Sequence, residues 1–172
     1  FAAERPKFRL APPSTTLVQI SKHSGRIFVG DAETKSLGML SLEGDLLGSI
    51  KMDNVPVSLS ETARGLYVTM IGHFMPSEDP QGALVFLERT ETGFKPPQTI
   101  LKDLPRVTHT EFGDLNGDGK VDFVSCLYGN NAGRFAWFEN LGDENYQEHL
   151  LMPKSGAIRA AIHDFNGDGF PD

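Results

Sequence analysis

Two stretches of this sequence have the residue types and the spacing to do chemistry. Asp114-Leu115-Asn116-Gly117-Asp118-Gly119-Lys120-Val121-Asp122 and Asp164-Phe165-Asn166-Gly167-Asp168-Gly169-Phe170-Pro171-Asp172 both read D-x-N-x-D-G-x-x-D. In a tightly curled loop, alternate residues turn inward, so positions 1, 3 and 5 converge and Gly at position 6 permits the bend. The carbonyl at position 7 and the carboxylate at position 9 complete the set. The expected ligands are therefore Asp114, Asn116, Asp118, the Lys120 carbonyl and Asp122, and again Asp164, Asn166, Asp168, the Phe170 carbonyl and Asp172. All are hard oxygen donors. Ca²⁺ suits them better than Mg²⁺, which keeps more water, or than zinc and copper, which prefer the His and Cys ligands that these loops lack. An EF-hand is excluded: Ser125 stands where its position-12 Glu would be, and the flanking residues alternate or run apolar like strands.

The elements that must hold these loops follow from the repeat. Asp114 and Asp164 are 50 residues apart, the length of one four-stranded unit. Between them, strand signals fall at 121–128, 134–139 and 146–152, separated by the turn segments Gly129 to Gly133 and Asn140 to Asn145. With Val107 to Phe112 leading, the order is strand, acidic loop, strand, turn, strand, turn, strand, the meander of a β-propeller blade. The same grammar recurs upstream without acidic loops. The reading is all-β: a partial propeller of four-stranded antiparallel blades at 15–53, 54–104 and 105–154, with the first strand of a fourth at 155–172 around apolar Ala157 to Ile162. Pro96 and Pro97 cannot donate to a ladder and are expected on an exposed fourth strand. Residues 1–14 form a terminal segment whose stretch Pro6 to Leu10 is a candidate closing strand.

Composition narrows the function further. The 172-residue chain has a formal charge of −7, and six of its 23 acidic residues lie in the two loops, with no Lys/Arg cluster of the kind that binds nucleic acid. No apolar run reaches the ~20 residues of a membrane span. Cys126 is the only cysteine, expected as a buried structural thiol. The chain starts without Met and ends inside a motif, which suggests a processed piece of something longer.

The residues also carry a resemblance. Phe112-Gly113-Asp114, both acidic loops and Ala136-Trp137-Phe138-Glu139-Asn140-Leu141-Gly142 resemble the FG-GAP/VCBS repeat family, similar to the calcium-loop blades of integrin α-subunit propellers and of bacterial surface proteins. The resemblance implies a calcium-binding module placed extracellularly, in the periplasm or at the cell surface, its signal peptide removed. Its remaining blades, or a second copy, would complete the disc. It also implies a ligand face formed by the loops between second and third strands, which here offer His73, Phe74, Asn130 and Asn131 to a protein or glycan. His109 and His163 are expected to pack near the axis, and Trp137 to fill the core between blades. No G-x-S-x-G, Walker loop or H-E-x-x-H is present, so a binding module is expected rather than an enzyme. The alternatives are part of a polysaccharide lyase or a lectin.

Overall fold

A computed structural model describes residues 14–143 and 145–172. Among these, the chain forms twelve strands and no helix, hence none long and apolar enough to cross a membrane. Sheet I comprises β1 (Thr15–Ile20), β2 (Ile27–Asp31), β3 (Ser36–Leu40) and β4 (Leu46–Lys51). Sheet II comprises β5 (Pro56–Glu61), β6 (Gly65–Met70), β7 (Gly82–Glu88) and β8 (Gln98–Leu104), and sheet III β9 (Val107–Gly113), β10 (Asp122–Leu127), β11 (Arg134–Gly142) and β12 (Asn145–Met152). Each is a four-stranded antiparallel meander in sequence order. The stretch Pro6 to Leu10, a candidate closing strand, lies outside the described residues.

Strand periodicity dictates how the sheets stack. On β6, Leu66, Val68 and Met70 share one face and enter a cluster with Phe28 and Leu37 of sheet I and Val85 and Leu87 of β7. Tyr67 points the other way and stacks on Phe112 of β9 with ring centroids 4.3 Å apart. On that side, Leu84 and Leu104 of sheet II pack with Phe123, Leu127, Ala136 and Phe138 of sheet III. Side chains alternate faces along a strand, so the apolar run of β6 serves two cores at once.

The first strands lie side by side: β5 sits against β1 on one flank and β9 on the other. The Thr16 hydroxyl donates to the Pro56 carbonyl, and a Cβ on Gly30 would stand 2.6 Å from Thr16 Oγ1 and 2.9 Å from Pro56 O, so only glycine fits that approach. The fourth strands β4 and β12 are largely exposed. The three sheets do not close into a ring.

Three expectations need correction. Pro96 and Pro97 precede β8, because the chain first makes an isolated bridge between Arg89 and Phe94 and pairs again only at Gln98. Trp137 belongs to neither core: Phe138 points to sheet II, so its neighbour Trp137 lies on the opposite face, paired with Val124 and stacked on His149. Ala157 to Ile162 form no strand, having no second strand to pair with. They nevertheless line β9. Thr108 Oγ1 lies within hydrogen-bonding distance of the carbonyls of Ala157 and Ile158, Ala160 N donates to His109 Nδ1 at 3.4 Å, and Ile162 covers Gly113.

Two outcomes are expected from this packing. A Cβ at Gly65 would come 2.1 Å from the Leu87 carbonyl oxygen, so Gly65→Ala should lower stability by about 1–3 kcal/mol, seen as a lower urea midpoint. Burial, with Arg159 nearby, holds the His109 imidazole below its ordinary value of 6.5. Its folded pKa is thus below its unfolded one, and the unfolded chain takes up the proton first. Stability from this group is complete above about pH 6.5 and falls as pH drops below it. The pH slope of the melting temperature there should flatten in His109→Gln.

Candidate metal site

The first acidic loop stands at the turn between β9 and β10, where sheet III makes its longest excursion, and the second follows the strandless stretch Ala157 to Ile162. In the first loop, Asp114 Oδ1 accepts the N–H groups of Gly117 and Asp118 at 2.8 and 3.1 Å, and Oδ2 that of Gly119 at 2.8 Å. Asn116 Oδ1 accepts Asp118 N at 3.0 Å, and Asp118 Oδ1 accepts Lys120 N at 2.9 Å. Gly117 and Gly119 adopt φ of 77° and 80°, a region open to glycine at little cost.

The second loop repeats this bond for bond. Asp164 takes Gly167, Asp168 and Gly169 N–H at 2.6, 3.1 and 2.9 Å, Asn166 Oδ1 takes Asp168 N at 2.8 Å, and Asp168 Oδ1 takes Phe170 N at 2.9 Å. Gly167 and Gly169 have φ of 78° and 89°. Position 9 is equally conserved in geometry: Asp122 Oδ2 accepts Leu115 N at 3.1 Å, as Asp172 Oδ2 accepts Phe165 N at 2.9 Å.

Asp122 has no solvent exposure, and its other oxygen accepts Asn140 N at 2.8 Å from β11. It ties the start of the loop to the neighbouring strand. Asp118 faces Lys120, whose ammonium lies 2.7 Å from Asp118 Oδ2 and 3.2 Å from the Asn140 carbonyl. The hydrogen bonds from Lys120 hold the Asp118 carboxyl below the ordinary carboxylate range, and Asp118 in turn raises the Lys120 pKa. In the second loop Phe170 replaces Lys120 and is exposed.

The donor chemistry fits a hard divalent cation, since each loop offers carboxylate, amide and carbonyl oxygens, and a carboxylate oxygen accepting one N–H keeps a further lone pair. Convergence is another matter. Among the described residues, no three Asp, Glu, His or Cys side chains are gathered into a metal-holding group. As they stand, the loops are braced by their own N–H groups.

Residues 114–172 match the family model described as the FG-GAP-like repeat. This segment is similar to FG-GAP-like repeats. The match spans both acidic loops and the strands β10 to β12 between them. No curated protein and no solved structure matches the chain.

At the other end of the sheets, the loop from Gly72 to Gln81 crosses from sheet II to sheet III. Glu78 accepts the N–H groups of Asn130 and Asn131 at 2.9 and 3.3 Å, and Arg106 Nη2 donates to the Phe74 carbonyl at 3.1 Å. His73 lies 3.2 Å from Asp79, Phe74 is half exposed and Met75 more so. His73, Phe74, Asn130 and Asn131 thus share one end. Cys126 is buried in β10, and burial pushes its thiol pKa up.

Sequence reasoning missed Glu139, whose Oε1 accepts Asn116 Nδ2 at 3.1 Å. The two are 23 residues apart, and only the β10–β11 register brings them together. It also missed Glu78 as the clasp between loops. Asp122→Ala should orphan the N–H groups of Leu115 and Asn140 and cost about 2–4 kcal/mol, checked by urea denaturation in chelator so that no cation contributes.

Proposed function

We propose that this chain is part of a calcium-binding β-propeller working outside the cytoplasm as a binding or scaffolding module, without catalysis of its own. The observation that supports this best is the second acidic loop. It reproduces the bonds of the first although its flanks form no sheet, which is what a sequence selected for one compact oxygen-lined turn would do. Calcium bound there would stiffen the turns between first and second strands and so fix the neighbouring sheets. The loops at the opposite end, with Phe74, Met75, Asn130 and Asn131, would then meet a protein or a glycan, since long loops on a rigid scaffold are where recognition concentrates.

The apolar surface on the two outer flanks supports a larger disc. Val18 and Ile20 of β1 are exposed on the face turned from sheet II, and Ile158 is exposed beyond β9. Surface of this kind favours association, here with further blades of the same propeller or with a second copy.

A second reading, a polysaccharide-active propeller or lectin, draws on Arg106, which lies 5.8 Å from the Tyr128 ring centroid close to the His73 loop. A glycan panel tests both, and ultraviolet absorbance from β-elimination products tests the lyase.

Isothermal titration with calcium, after chelation, is the direct test of the proposal. Two equivalents should bind, and the melting temperature should rise with free calcium as ligand linkage requires. A chain that takes up no calcium and melts identically in EDTA would overturn the proposal.

A further inference from the structure

Two loops that share these backbone bonds differ in two side chains, Lys120 against Phe170 and the position-3 amide, and the amide is the more informative. In the second, Asn166 Nδ2 donates to Asp168 Oδ2 at 3.0 Å, so the side chain closes on its own loop. In the first, Asn116 Nδ2 points outward to Glu139 Oε1 on β11. A primary amide has its acceptor and its two donors on opposite corners. Oδ1 accepts the position-5 N–H in both loops, so what the outward anchor adds is to hold Asn116 Nδ2 away from the loop's own carboxylates and keep Oδ1 in that orientation.

Glu139 is itself held. Its Oε2 lies 2.7 Å from His149 Nε2 on β12, and the His149 ring stacks on Trp137 at 4.5 Å with planes 23° apart. Trp137 and Glu139 are two residues apart on β11 and share the face turned from sheet II, while His149 pairs with Trp137 across the ladder. The loop, β11 and β12 thus converge on one carboxylate.

We propose that Glu139 is a positioning residue for the first acidic loop. It fixes the Asn116 amide so that Oδ1, and not the NH₂ group, faces a bound cation, and the His149–Trp137 stack keeps Glu139 in place. The proposal rests on the calcium reading of the loops. A reversed amide would present N–H hydrogens to the ion, removing one ligand and adding repulsion. The second loop has no such support; Asn166 holds its Asp168 Oδ2 as the Lys120 ammonium holds Asp118 Oδ2 in the first, so each loop must free that oxygen before it can take a cation.

The test uses the full chain with Asp164→Ala, so that calcium titration reports the first loop alone. Glu139→Ala should weaken calcium about five-fold, the scale of one hydrogen bond, while Glu139→Gln, which keeps an amide oxygen for Asn116, should stay close to the parent. Emission from Trp137, the only tryptophan, should respond to calcium in the parent and lose that response in Glu139→Ala. Equal weakening in Ala and Gln would show that charge and not positioning matters, and would overturn the proposal. So would unchanged affinity in Glu139→Ala. If the unmodified chain binds no calcium, the calcium reading fails and this proposal falls with it, a result distinct from binding that ignores Glu139.

Discussion

The middle sheet has to bury both of its faces. Leu66, Val68, Met70, Val85 and Leu87 on one side and Leu84 and Leu104 on the other leave β6 and β7 nearly without contact to water. Removing large apolar side chains from water is the main favourable term in folding, so a sheet of this composition needs a neighbour on each flank. Sheets I and III meet that need, and their orientation follows from it. β1 and β9 both lie against β5, so the first strands gather along one edge and the outer strands face solvent.

That arrangement leaves the turns between first and second strands as the points where sheets must be tied at one end. Two solutions appear. Sheet II closes β5 to β6 through a short turn in which Thr62 N donates to Gly65 O at 2.8 Å, and it supplies its own cation: the Arg89 guanidinium lies 2.6 Å from Glu61, whose side chain is only 4% exposed. Arg89 also sits over the Phe94 ring, 5.3 Å from its centroid. A carboxylate this buried requires a paired charge. Sheet III inserts the acidic loop instead, where carboxylates collect backbone N–H groups and Asp122 reaches across to Asn140.

Within the loop the forces are local. A curled backbone leaves several N–H groups without carbonyl partners, and Asx side chains two to five residues away satisfy them. This explains why the second loop forms although residues 157–163 are not in a sheet. The clasp at the opposite end is different in kind, because Glu78 meets Asn130 and Asn131 across more than fifty residues of sequence and depends on sheets II and III already being stacked.

The sequence by itself determined what depends on near neighbours. The period between Asp114 and Asp164, the alternation within strands and the glycines at the loop bends were enough to read an all-β chain of four-stranded meanders with two matching acidic turns, since each rests on backbone geometry within a few residues. The tertiary structure decided whatever depends on register between distant segments. It placed Trp137 on the outer face beside His149, put Glu139 beneath Asn116, gave Glu61 its partner in Arg89, and left Ala157 to Ile162 lining β9 without a ladder. A strand's pattern reveals that its side chains alternate. Which face meets which neighbour is fixed only when the sheets stack, because that choice belongs to the packing of two surfaces and is written in neither alone.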